Sequence, residues 1–252
     1  TAALLVRAGL TVAVLEALVP GVSALGFMHY GPFDWNGTRL IVSRSGYTGE
    51  VGFELFVERD HTVKLWERLM EAGSEHGLLP CGLAARDSLR TGAVLPLSHQ
   101  DIGAWPFIRH PWSFALPYDA QGKFTKDFLG RAALEQATDA PYTLTFVGHD
   151  LRKVDAHGAR VFKDGRDIGT VLTCATDMAI GRHEGRIYSV ASPDKPAELT
   201  IKGLSCGFIK VQEYLEPGTT VELRDGKRAL PVVIERDVRP DRTARKPLKA
   251  FL

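Results

Sequence analysis

The stretch SRSGYTGEVGFELFV, Ser43 to Val57, decides how this chain is read. In its second half Val51, Phe53, Leu55 and Val57 fall on one face of an extended segment, and Gly52, Glu54 and Phe56 on the other. Thr38 to Ser43, just upstream, is a β-branched run, so Gly46 and Gly49 mark a turn between two strands, Thr38 to Ser43 and Val51 to Glu58. Glu54 is then a carboxylate beside an aromatic, on a face where Gly52 allows close approach. Tyr47 sits among the turn glycines, where its ring and hydroxyl can reach a ligand or simply cover the sheet.

The carboxylate of Glu54 can accept two parallel N–H bonds from a flat heterocycle with an amino group next to a ring nitrogen, which is what a pterin offers. The alternative is an open sheet face with Glu54 in water. Downstream, GLAARDSLRTGAVL (Gly82 to Leu95) reads as a short helix from Leu83 to Thr91 with Arg86 and Arg90 four apart on one face. A like-charge pair at that spacing costs about 0.2–0.5 kcal/mol unless an anion lies between the two. A bound carboxylate would relieve it, and so would an internal partner such as Asp87 or Glu50.

Around these segments the pattern is α/β. Ala2 to Leu18 is apolar on most faces and stopped by Pro20-Gly21, which suits a buried helix; Arg7 and Glu16 interrupt it too early for a membrane span. Asp60 is placed to cap a helix in which Val63, Trp66, Leu69 and Met70 form an apolar stripe up to Gly77. An irregular stretch dense in aromatics and prolines runs from Pro96 to Lys123, followed by a helix near Asp127 to Gln136. Beyond Pro141 the texture changes to short strands: Tyr142–Gly148, Ala159–Phe162, Ile168–Thr173, Arg186–Ala191, Gly207–Tyr214, Thr219–Leu223 and Ala229–Glu235. Asp164-Gly165 and Asp225-Gly226 are hairpin signals, and the spacing suggests an antiparallel barrel or sandwich. The boundary is expected near Ala137 to Tyr142, giving regions 1–140 and 141–252.

Composition narrows the function classes. The 252 residues are 44% hydrophobic and carry 31 basic against 30 acidic residues without long blocks, so a nucleic-acid partner is not expected. Cys81, Cys174 and Cys206 are odd in number and far apart, which argues against a disulfide framework and fits a reducing cytoplasm. Phosphate-loop, dinucleotide, zinc-protease and nucleophile-elbow signatures are missing, and the eight histidines lack ligand spacing, so no metal is expected. The start at Thr1, inside an apparently helical pattern, suggests that sequence is missing upstream.

Three runs occur in order: Gly-Tyr-Thr-Gly-Glu-x-Gly-Phe-Glu at Gly46 to Glu54, Gly-Leu-x-Ala-Arg-Asp-x-Leu-Arg at Gly82 to Arg90, and Asp127-Phe-Leu-Gly-Arg131. Together they resemble the folate-dependent aminomethyltransferases, the glycine-cleavage T protein family with its O- and S-demethylase relatives. The resemblance implies an α/β (α+β) folate-binding domain followed by a C-terminal antiparallel β-barrel, and tetrahydrofolate as cofactor. It implies pterin contacts from Tyr47 and Glu54 and a folate-side place for Arg86 and Arg90. The family's catalytic aspartate lies in an N-terminal segment with no counterpart here.

Where aminomethyltransferases have a shorter, more polar stretch after the second motif, this chain has LPLSHQDIGAWPFIRHPWSFALPYD. Trp105, Phe107, Trp112, Phe114 and Tyr118 could wall a flat ring, with His99, Arg109 or His110 meeting a carboxylate or phenol. The first expectation is therefore an O-demethylase that moves a methyl group from a small methoxylated aromatic acid to tetrahydrofolate, with Tyr47 as proton donor or orienting group. The alternatives are the glycine-cleavage aminomethyltransferase, which needs a lipoyl carrier protein as partner, and a folate-binding regulatory protein without turnover. A membrane partner is not expected.

Overall fold

A computed structural model describes residues 3–5, 8–112, 115–226 and 228–251. The chain forms two compact units, one of residues 1–90 with Asp241–Leu252, the other Thr91–Pro240.

In the first unit β1 (Ala3–Leu5) precedes α1 (Ala8–Leu18), then come β2 (Tyr30–Trp35), β3 (Thr38–Ser43), β4 (Glu54–Phe56), α2 (Thr62–Gly73), β5 (Leu79–Cys81) and α3 (Leu83–Gly92), whose last two residues belong to the second unit. The expected helix Ala2 to Leu18 is thus corrected. Ala3–Leu5 is a strand that pairs with β5, because an apolar run carries no periodicity to separate helix from strand and a backbone partner decides. Ala2, Val6 and Arg7 lie outside the described residues.

β3 matches its expected bounds and lies at the centre of an antiparallel sheet in the order β2-β3-β4. β2 was not anticipated, although Asn36-Gly37 joins it to β3 as a two-residue hairpin with both residues at positive φ, 52° and 77°. β4 is shorter than the expected Val51 to Glu58, because the Val51 N–H donates to the Thr243 hydroxyl rather than to a neighbouring strand.

The stripe of α2 is also corrected. Leu65, Leu69 and Gly73 are buried at four-residue intervals, while Val63 points to solvent. Asp60 does not cap it; the helix is preceded by a 3₁₀ turn, Arg59–His61, with no side-chain cap. Leu15, Val19, Trp35, Leu40, Val42, Leu65 and Leu69 make the core between helices and sheet.

The second unit contains α4 (Arg131–Glu135), β6 (Tyr142–Val147), β7 (Arg160–Lys163), β8 (Arg166–Asp177), β9 (Ile180–His183), β10 (Arg186–Ser189), β11 (Leu204–Val211), β12 (Thr220–Arg224) and β13 (Ala229–Ile234). Six strands close an antiparallel barrel in the order β11-β6-β13-β12-β7-β8, and β9 and β10 form a separate hairpin. Asp164-Gly165 closes the β7–β8 hairpin with positive φ at both residues. Phe146, Val161, Ile209, Leu223 and Val232 fill the barrel. Gly207 is obligatory in β11: a Cβ there would stand 1.9 Å from the Thr173 carbonyl oxygen.

α4 is five residues long, not ten, because Gly130 precedes it in a left-handed conformation at φ 90°. These units do not coincide with a division at 140/141. Residues after Arg90 join the barrel through the Gln100 amide on Thr173, the Thr173 hydroxyl donating 2.7 Å to buried Asp101, and the Thr143 N–H on the Arg109 carbonyl. Asp177 and Arg239, both almost wholly buried, pair at 2.9 Å in the same unit. No helix among the described residues is long and apolar enough to cross a membrane.

Candidate functional site

The alternation read from Val51 to Val57 holds: Glu54 and Phe56 are exposed, while Leu55 between them is half-buried. Pairing places Tyr30, Ser43 and Glu54 in one row across the sheet, and Pro32, Ile41 and Phe56 in the next. The Ser45 hydroxyl donates to Glu54 Oε2, and Ser43 Oγ lies 2.7 Å from Ser45 Oγ. One carboxylate oxygen is thus held by a hydroxyl relay, on a face whose neighbours include exposed aromatic rings. An apolar bed beside an oriented carboxylate suits a flat heterocycle with N–H donors at its edge. Ser45 and Tyr30 were not singled out from sequence; Ser45 immediately precedes the motif run, and the Asn36-Gly37 hairpin is the signal that would have brought Tyr30 onto this face.

Tyr47 is half-buried in the turn, where Gly49 takes a φ of 76° that favours glycine. The Arg86 guanidinium lies 5.3 Å from the Tyr47 ring centroid, so α3 and the motif turn meet at these two residues. Arg90 has a different environment although it shares the helix face. It is fully buried, with Nε donating to Asp87 Oδ1 at 2.7 Å. The internal partner considered from sequence is therefore present for Arg90. Glu50, the other candidate partner, accepts from the Thr243 N–H and hydroxyl.

The C-terminal segment Asp241–Leu252 lies against this turn within the same unit. The Thr243 hydroxyl donates to Glu50 at 2.6 Å and accepts the Val51 N–H at 2.9 Å, and the Ala244 N–H donates to the Gly49 carbonyl. At the other end of the turn Arg44, 5% exposed, donates to the carbonyls of Leu25, Ala244 and Lys246. Its burial draws the guanidinium pKa below the ordinary value. Nothing local in the sequence signals these contacts.

The residues expected to wall a second ring lie in the other unit and are held in local contacts. The Trp105 ring folds over Gly103, where a Cβ would be 2.0 Å away, and the Lys210 ammonium sits 4.3 Å from its centroid. Phe107 and His110 stack at 4.2 Å. Trp112 donates its indole N–H to the Val94 carbonyl at 3.1 Å, and Val94 itself holds a left-handed φ of 60°, strained for a β-branched residue.

Arg109 spends its guanidinium on the Ala140 and Thr138 carbonyls and the Tyr142 ring. Burial lowers His110 to about 4, and its Nδ1 accepts the Trp112 N–H, so the ring is neutral at neutral pH. His99 is exposed, at φ 67°, on the loop that wraps Asp101. Phe114 lies outside the described residues. Arg109, His110 and Trp112 are thus each engaged by groups of their own unit.

Residues 3–105 match the family model of the GCVT N-terminal domain. The chain is similar to an aminomethyltransferase of Geobacillus sp. (strain WCH70), 36% identical over 188 residues, covering 72% of this chain and 51% of the relative. It is 40% identical over 164 residues to an aminomethyltransferase of Streptomyces coelicolor, covering 60% and 41%. It spans about half the length of the curated relatives it matches first. The crystal structure of the glycine cleavage system aminomethyltransferase T from Bartonella henselae superposes with a TM-score of 0.64 at 24% identity, covering 92% of this chain and 57% of that one, a likeness of fold. The resemblance carried by the motifs therefore holds, and residues 3–105 are a domain of the glycine-cleavage T protein family.

Proposed function

We propose that this chain supplies the folate-binding part of a tetrahydrofolate-dependent one-carbon transferase, and that the unit transferred is the aminomethyl group of a lipoyl carrier protein. The observation that carries the reading is Glu54: an exposed carboxylate, one oxygen held by Ser45, on the strand that follows the Tyr47 turn. Tetrahydrofolate, when bound, supplies the nitrogens that take up the one-carbon unit. Glu54 would hold the pterin edge, Tyr47 would pack or orient at the reacting end, and Arg86 would support the Tyr47 ring.

The names of the relatives support the aminomethyl donor over the methoxylated aromatic acid expected first from sequence. The internal engagement of Arg109, His110 and Trp112 points the same way, since the side chains meant to receive an aromatic acid are occupied in packing. A cytoplasmic setting belongs to the same proposal, as do regions 1–140 for folate and 141–252 for the barrel. The test is a transfer assay on the complete protein with tetrahydrofolate, offering aminomethyl-lipoyl carrier and vanillate-type acids in parallel. Transfer from the lipoyl carrier is expected. Transfer from a methoxybenzoate alone would restore the demethylase reading, and folate binding without transfer from either donor would leave a regulatory protein.

A further inference from the structure

We propose that the C-terminal segment Asp241–Leu252 is a brace that sets the conformation of the Ser45–Glu50 turn, with Thr243 as its positioning residue. The inference rests on the reading that this turn contacts folate through Tyr47.

Both legs of the turn are bonded to the same short segment. On the outgoing leg three consecutive residues are engaged: the Gly49 carbonyl by Ala244 N–H, the Glu50 carboxylate by the Thr243 hydroxyl and N–H, and the Val51 N–H by Thr243 Oγ1. On the incoming leg Arg44, next to the Ser45 that holds Glu54, spans from Leu25 to the carbonyls of Ala244 and Lys246. Leu248, 2% exposed, packs with Val12 and Val51 and anchors the segment.

The Thr243 hydroxyl is the shared element. It gives its proton to a carboxylate and takes one from an amide, so a single atom joins the side chain of one turn residue to the backbone of the next. Without it the buried Val51 N–H has lost its acceptor, and a buried donor without a partner drives local rearrangement. The rearrangement would fall on the turn that carries Tyr47, because Glu50 N–H is already tied to the Thr48 hydroxyl.

Thr243→Val keeps the shape and removes the hydroxyl. Measured by calorimetry on the complete protein, it is expected to raise the tetrahydrofolate dissociation constant roughly five- to tenfold, the scale of one lost hydrogen bond. Thr243→Ser should restore wild-type affinity. Linkage adds a readout on the unmodified protein: if brace and ligand share the turn, tetrahydrofolate should slow tryptic cleavage after Arg245. Unchanged affinity in Thr243→Val together with weakened binding in Tyr47→Ala would overturn the brace and leave the folate reading standing. Unchanged affinity in both variants would remove the folate reading and the brace with it. Should the valine variant not fold, failure of tetrahydrofolate to protect Arg245 would overturn the proposal.

Discussion

The Arg86 guanidinium stands 5.3 Å from the centre of the Tyr47 ring, joining two motifs that lie about forty residues apart in sequence. A cation over an aromatic face is worth about 0.5–1 kcal/mol at a partly exposed site. Arg86→Met is expected to weaken tetrahydrofolate binding about two- to fivefold by that loss. Tyr47→Phe keeps the ring and should leave affinity nearly unchanged, so a large fall in turnover in that variant would assign the hydroxyl to proton transfer or orientation. Near-normal turnover would leave Tyr47 as a packing residue.

Glu54→Gln removes the charge but keeps the shape on an exposed strand. Charge-assisted hydrogen bonds contribute about 1.5–3 kcal/mol, so a loss of affinity of roughly ten- to a hundredfold is expected. The thermal midpoint should barely move, because Glu54 is exposed. Ser45→Ala should show a smaller effect in the same direction by freeing the carboxylate to turn. Calorimetry on both variants decides; equal affinity to wild type in each would return Glu54 to the solvated sheet face.

Arg90 is expected to behave oppositely to Glu54. Its guanidinium is fully buried and bonded to Asp87, whose own side chain is 41% exposed. Removing the arginine leaves a carboxylate that water can still reach, so Arg90→Met should cost about 1–2 kcal/mol, below the range for a fully buried pair. Chemical denaturation should register this with tetrahydrofolate affinity intact. Lost affinity at unchanged stability would place Arg90 on the ligand instead.

His110 gives the pH prediction. Its pKa is lowered from 6.5 to about 4 by burial, so between these values the unfolded chain takes up a proton that the folded chain does not. The stability held in the neutral ring is complete above pH 6.5 and is lost as pH falls toward 4. Allowing for partial contact with water, the loss is on the order of 1–2 kcal/mol. His110→Asn, which can still accept the Trp112 N–H, should flatten the urea-midpoint difference between pH 7.5 and 4.5 relative to wild type. An identical pH dependence in both proteins would refute the assignment.

Much of the architecture was legible because it is encoded over a few residues. Alternation placed Glu54 and Phe56 on the outer face, Asp164-Gly165 closed its hairpin, and the strand texture after Pro141 became a barrel. The misses share a cause as well. Ala3–Leu5 became a strand only because β5 offers it a partner, and α4 is half its expected length only because Gly130 turns the chain before it.

By itself, then, the sequence determined the period of each segment, the turns that glycine and asparagine permit, and the motif that carries Tyr47 and Glu54. Those are choices of local dihedral angle and of which side chains avoid water. Only the tertiary structure decided that Thr243 meets Val51 across 192 positions, that Arg44 is bonded to the same C-terminal segment, and that Arg86 reaches Tyr47. Hydrogen-bond partners at that separation are chosen by burial: once the core excludes water, a buried N–H or guanidinium is bonded to whatever the fold brings within reach.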